Sequence, residues 1–382
     1  MKKSILMFAG VLLLMMLVVG TVTAGGAKQV GTTVYVFGPT PDHGWTGSAA
    51  RFAEGKIAEL NKAGGKYTYV FKSAAGPDEQ IRQIEQVLTE SRYPAGIVIQ
   101  CSDDAVQPAV EKIAQANIPL ILFDRLVDDK SPLIRERMVA AMGADNYAVG
   151  AGIAYYFVEK GMMPGEKVWE LPGDNSGATR ERSVGFREFL LGTRSFVDDQ
   201  RQSHNVPANR KWTQVQIDTI VQSQVGMWSR DQGKSLFASY IEGKTADTIA
   251  KWFFTHDDEY VMGILEYLQT PARTAERNLF ESNVKAASGA GGLIAMYEVM
   301  ARNKATAGNQ LYQPDGMYIM SASVRPGFFV DAIQLMVDHL AGKDITGFYT
   351  DKVAKRYMEP THLVDTQSYL ANKDNPSWRG FD

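Results

Sequence analysis

From Thr32 onward, short apolar runs rich in β-branched residues alternate with stretches whose apolar positions recur at helical spacing. The run "TTVYVF" is followed by a predicted helix over 48–62, and "KYTYVF" by one from Asp78 to Glu90. In the latter, Ile81, Ile84, Val87 and Leu88 stand at i, i+3, i+6 and i+7, which places them on one face. Pro77-Asp78 supplies its start signal. "GIVIQ" then precedes a helix near 105–116, and "IPLILF" ends at Asp124-Arg125. After "AAMGADN" the pattern restarts with a helix near 146–160, "KVWEL" and a helix near 180–191. An irregular polar stretch, Asp198 to Lys211, reads as a surface excursion. The alternation returns with a helix near 230–242, "TIAKWFF", a helix near 259–269 and a strand near Val284. Strands that are apolar throughout belong to sheets covered on both faces, and their alternation with helices predicts parallel pairing. Two βα blocks of similar size predict two doubly wound parallel-sheet lobes, an α/β fold.

The N-terminus stands apart from this pattern. Lys2 and Lys3 precede an apolar run from Ile5 to Val19, which gives way to Gly20 and the small-residue stretch Val22-Thr23-Ala24. A membrane span needs roughly 20 apolar residues, so residues 1–24 read as a secretory signal peptide, the alternative being an anchor. The mature chain is therefore expected to be soluble and exported to the periplasm. The remainder of the 382 residues is long enough for two domains at roughly 100–200 residues each. A net charge of −3, with no basic stripe, argues against a nucleic-acid partner. Cys101 is the single cysteine, so an exported chain has no internal disulfide and must rely on its core.

In open parallel sheets, ligands bind beyond the carboxyl ends of the strands. The segments at those places are "GPTPDHGWTG", "CSDDA", "DRLVDD", "PGDNSGATRER" and "HDDEY". All are polar, most are rich in Asp, and two carry aromatic residues. Gly44 and Gly47 bracket Trp45, so the first segment is expected to be a tight loop presenting the indole outward.

Catalytic patterns are approached and missed. Gly233-Lys234-Ser235 and Gly243-Lys244-Thr245 resemble the end of a phosphate loop, but Trp228 and Ala238 stand where its leading glycine belongs. "SGAGG", Ser288 to Gly292, lacks dinucleotide spacing and reads as a tight strand-to-helix turn. His256 to Glu259 would leave a strand in alternating directions and cannot converge on a metal without a turn. No nucleophile, base and orienting group assemble, so the chain is read as a binding protein without cofactor, metal or catalytic residues.

At "LPGDNSGATRERSVGF", taken with "NIPLILFDR" and "GADNYAVGAGIA", the sequence resembles the periplasmic sugar-binding proteins of the ribose and galactose type. These are type I solute-binding proteins of ABC importers, and the resemblance covers nearly all of the mature chain. It implies two lobes joined by a three-segment hinge. Residues 32–143 with 324–351 would form the N-terminal lobe, and 144–323 with 352–382 the C-terminal one. It also implies a ligand set. Trp45 would stack on the sugar, with Asp42 and His43 beside it. Asp124 and Arg125 would follow the fourth strand, and Arg182 is the second arginine of "RER". Trp228 would close over the ring, Asp257 would bind from a second-lobe strand end, and Ser323 stands where the family has a Gln contact. The family's Gly-Phe-Asp-Gly, whose Asp binds ligand, is here Ser288-Gly289-Ala290-Gly291.

The implied function is capture of a monosaccharide between the lobes and delivery to a membrane ABC permease. The same fold could instead hold another polyol, a nucleoside or a signalling furanose, or serve a chemoreceptor or sensor kinase. An exported sugar-processing enzyme would need a carboxylate pair free of Arg partners. The residue types suit a neutral polyol independently of the family. Indole faces cover C–H surfaces, while carboxylates accept from hydroxyls and guanidinium forks donate to two oxygens. Core packing of Trp45 and Trp228, and a purely structural Asp124–Arg125 ion pair, are the competing readings.

Overall fold

The computed structural model describes residues 28–40, 44–302, 311 and 313–373. The expected signal peptide and two expected ligand contacts, Asp42 and His43, lie outside the described residues. The strands are β1 (Thr33–Pro39), β2 (Thr68–Ala74), β3 (Gly96–Ile99), β4 (Leu120–Phe123), β5 (Ala140–Ala144) and β6 (Val168–Leu171). They continue with β7 (Phe196–Val197), β8 (Ser203–His204), β9 (Val221–Gln222), β10 (Trp252–Thr255) and β11 (Ala286–Gly291). The last are β12 (Tyr318–Ser323), β13 (Arg356–Glu359) and β14 (His362–Asp365).

One six-stranded sheet has the order β13-β5-β4-β3-β1-β2, parallel throughout. The other has the order β14-β12-β11-β10-β6-β9, parallel except for the β12–β14 edge. Alternate side chains of a strand leave opposite faces. Val34 and Val36 accordingly join the core on one side of the first sheet, while Tyr35 and Phe37 join the core on the other. In the second sheet Phe253 faces one core, and Trp252 and Phe254 face its counterpart. Both faces of both sheets are thus covered, which explains why the strand runs are apolar without alternation.

The chain passes between the sheets after β5, after β12 and after β13. The third crossing corrects the expected boundary at 351/352. β13 pairs in parallel with β5, from Arg356 opposite Ala141 to Glu359 opposite Ala144, and so belongs to the first lobe; the chain leaves it only after Glu359. No apolar periodicity marks this short edge strand, and only its hydrogen-bonding partner assigns it. Two local expectations also change. "SGAGG" lies mainly within β11 and only Gly292 follows it. The polar stretch after 198 holds the small β7–β8 hairpin, and Val206 and Trp212 anchor the region in the second-lobe core. Cys101 is fully buried, with burial raising its thiol pKa to about 12, which leaves it an inert packing group.

Candidate ligand-binding cleft

The carboxyl ends of β1, β4, β6, β10 and β11 face one another across the gap between lobes. They enclose a cleft of ≈ 510 Å³, counted out to its mouth. Trp45, Asp124, Arg125, Arg182, Trp228 and Asp257 all line it. Ser323 is not among the residues that line it. Its hydroxyl sits over Gly292, and the neighbouring Val324 takes the place in the wall. Ala290 and Gly291 also line the cleft, so the position where the family carries a ligand-binding Asp offers no polar side chain here.

Trp45 stands in the first turn of the helix Gly44–Ala63, not in a loop. Its indole lies nearly parallel to Phe123, with centroids 6.2 Å apart, and its Nε1–H donates to the Val324 carbonyl at 2.6 Å. The ring packs against the cores of both lobes. The other indole, Trp228, is reached through two successive left-handed residues, Met227 (φ 54°) and Trp228 (φ 58°). Such geometry is unfavourable for L-residues and persists only where neighbours fix it. Met227 N–H donates to Gly173 at 2.8 Å and Trp228 N–H to the Tyr260 hydroxyl at 2.7 Å. Gly173 is required beneath the ring, because a Cβ there would stand 2.1 Å from Trp228 Cζ2.

Arg182 comes from the helix Gly177–Leu191, which crosses the helix Asn146–Glu159 closely. A Cβ on Gly150 would fall 2.0 Å from the Arg182 carbonyl oxygen. The guanidinium, 7% exposed, donates Nε–H to Asn146 Oδ1 at 2.9 Å and Nη1–H to the His256 carbonyl at 2.5 Å. Its plane also sits 5.2 Å from the Trp228 ring centroid, so cation and indole support each other. Burial lowers its pKa, opposed by the charges of Asp257, Asp124 and Asp174.

Arg125 joins the lobes. It donates to the Ser102 carbonyl in the first lobe and stands 3.4 Å from Asp174 Oδ2 in the second. Asp124, in left-handed backbone (φ 61°), accepts from Gln100 Nε2 at 2.8 Å and lies 4.0 Å from Arg125 Nε. Burial raises the pKa of Asp124 despite Arg125, and raises that of Asp257 still further, with Asp258 adding repulsion. Burial would also raise Asp174, but the Arg125 charge and a hydrogen bond from Ser176 N–H lower it instead. The cleft is therefore a site of nearly compensated charge.

The four residues His256 to Glu259 diverge. His256 Nε2 meets Glu170 at 3.0 Å behind the cleft, while Asp257 caps the helix Asp258–Gln269 by accepting from Glu259 N–H. Asp258 Oδ2 accepts from Gly292 N, Leu293 N and Ser321 Oγ, each at 2.8 Å, and Glu259 pairs with Arg230 at 2.5 Å. Among the described residues no cluster of His, Cys, Asp or Glu has the geometry of a metal site.

Residues 34–321 match the family described as "Periplasmic binding protein domain". The chain belongs to this family. The ribose import binding protein of Escherichia coli (strain K12) is 26% identical over 222 residues, spanning 58% of this chain and 63% of that protein. The galactofuranose-binding protein of the same organism is 22% identical over 289 residues, 75% of this chain and 76% of the relative. A solved galactofuranose binding protein superposes with a TM-score of 0.63 at 18% identity, covering 90% of this chain and 98% of that one. A Mycobacterium smegmatis protein in complex with β-D-fucofuranose gives 0.64 at 16%, covering 91% and 96%. An arabinose transporter component from Shewanella sp. ANA-3, bound to L-arabinofuranose, gives 0.63 at 18%, covering 90% and 95%. These structural likenesses establish the fold, two parallel-rich α/β lobes of the periplasmic binding protein type.

Asp174, Asn146 and Gln100 support the cleft without having been singled out by the sequence pattern. Asp174 follows β6 in a polar strand end already noted, so its position was a usable signal. Asn146 and Gln100 act by orienting Arg182 and Asp124, and nothing in their local sequence announces that.

Proposed function

We propose that this protein is an exported, non-enzymatic capture protein that holds a neutral monosaccharide between its lobes and delivers it to a membrane ABC permease. The observation that carries this reading is the convergence of Trp45 and Trp228 with Asp124, Arg125, Arg182 and Asp257 in one cleft drawn from both lobes. Aromatic faces suit the C–H surface of a sugar, and the compensated Asp/Arg set suits hydroxyls rather than a net charge. The cleft carboxylates are committed: Asp124 to Gln100 and Arg125, Asp174 to Arg125, and Asp257 to a helix cap. None is left as the free acid–base pair that glycoside hydrolysis needs. The furanose ligands named for three of the similar proteins favour a five-membered ring. Periplasmic residence follows the family and the leader expected in residues 1–24; no helix among the described residues is long and apolar enough to cross a membrane.

Thermal unfolding with L-arabinose, D-galactose, D-fructose and D-ribose tests the proposal. A ligand that binds only the folded state adds about 4 kcal/mol of stability at a thousandfold excess over its Kd. At least one sugar is expected to raise Tm and to be recovered unchanged by NMR. No shift with any sugar, alongside a shift with nucleosides, would overturn the ligand class.

A further inference from the structure

The lobes are drawn together. Arg180 Nη1 of the second lobe meets Asp104 Oδ2 of the first at 2.7 Å, where Lys130 also pairs. Arg125 meets Asp174, and Trp45 donates to Val324. Even so, a second chamber of ≈ 860 Å³, counted to its mouth, lies beside the central cleft, and Thr46, Arg125 and Trp228 line both. Closure has therefore not sealed the site around a single ring.

The walls of this outer chamber have their own chemistry. From the first lobe Pro39, Ala74, Ala75 and Pro77 provide apolar surface, and from the second Met227 adds a thioether that is 57% exposed. Ser102 Oγ, the second carboxylate oxygen of Asp103 and the Asn175 side-chain amide also belong to the lining, and none has a hydrogen-bond partner among the described residues. Apolar surface beside hydroxyl, carboxylate and amide groups that have no partner among the described residues suits the mixed surface of a second sugar residue. A single ring would leave these groups to solvent.

We infer that the outer chamber is a second glycosyl subsite, so that the preferred ligand is a disaccharide or other glycoside with one ring between the indoles and the next beyond Arg125. The inference rests on the sugar-binding reading and extends it to a larger substrate class. Arg125 and Trp228, common to both chambers, would contact both units.

Calorimetric titration of the whole protein with L-arabinose, D-galactose and D-fructose, and with arabinobiose, galactobiose and inulobiose, tests it. A disaccharide is expected to bind at least about tenfold more tightly than its parent monosaccharide, the gain of one good additional contact set. Ala75→Trp adds bulk from an exposed loop position into the outer chamber only. It should remove that gain while leaving monosaccharide affinity within about twofold, with an unchanged Tm as the folding control. Monosaccharide binding with no gain from any disaccharide, or a gain that survives Ala75→Trp, overturns the subsite and leaves the sugar reading intact. Absence of binding by every sugar in both sets overturns both.

Discussion

At Trp45 one side chain carries two kinds of interaction that a sequence cannot separate. Its ring face is available to the cleft, while its other face stacks on Phe123 and its N–H is already given to Val324 on the segment that crosses between lobes. Under the proposed function the indole would serve as both platform and strut. Trp45→Phe keeps an aromatic face and loses the hydrogen bond, worth about 1 kcal/mol. Its ligand affinity should fall by about fivefold, with most of the ligand-induced fluorescence change retained by Trp228. Titration by intrinsic fluorescence checks this, and an unchanged Kd would mean that the Val324 contact plays no part in closure. Arg182 is similarly double-purposed. Because Nε and Nη1 are bonded to Asn146 and His256, a lysine there would lose these internal contacts in addition to any contact with the proposed ligand.

At the scale of elements, the end of β10 and the start of the next helix are fixed by a carboxylate that never reaches the cleft. Asp258 bridges the turn after β11 to Ser321 on β12, which holds Ala290 and Gly291 in the cleft wall. Burial, opposed by hydrogen bonds from Leu293, Ser321 and Gly292, raises its pKa from 3.8 to about 6. A carboxyl raised in the folded state contributes stability that is complete below the unfolded value and lost as pH rises through the folded one. The window here is 3.8 to about 6. Asp258→Asn removes the titration, so its stability relative to the parent should rise between pH 4 and 7 by about 1–3 kcal/mol, at 1.36 kcal/mol per pKa unit. Urea unfolding of both proteins at several pH values measures the difference, and a flat difference would place the ionisation elsewhere. The Glu170 cluster has the opposite sign. Burial opposes its charge, but hydrogen bonds from His256 and Arg187 and the Arg187 charge lower its pKa to about 2.

For the whole molecule, the relevant equilibrium is the relative position of two lobes, and a ligand shifts it only by contacting both. The Asp104–Arg180 pair biases the same equilibrium from outside the cleft. Arg180 is half exposed, so the pair is a screened surface contact worth about 0–1 kcal/mol. Arg180→Ala should raise Kd by at most about fivefold, mainly through faster release, and should weaken the dependence of Kd on salt. Stopped-flow release at low and high ionic strength checks this. An unchanged release rate would show that the pair does not hold the lobes.

The sequence by itself determined the two-lobed parallel α/β architecture, because strands buried on both faces must be apolar at every position and helices must carry one apolar stripe. It also pointed to Asp124, Arg125 and Asp257 as cleft-lining candidates, because polar residues just past apolar strands have one place to go in such a fold, whereas Trp45, Arg182 and Trp228 were placed there only by the family resemblance. The tertiary structure decided what depends on distant partners. The edge pairing that puts β13 in the first lobe, the turning of Ser323 toward Gly292, and the supporting contacts of Asp174, Asn146 and Gln100 join residues far apart along the chain. Side-chain direction at such points follows from which backbone lies opposite. That is set only when the two sheets and their crossings are in place.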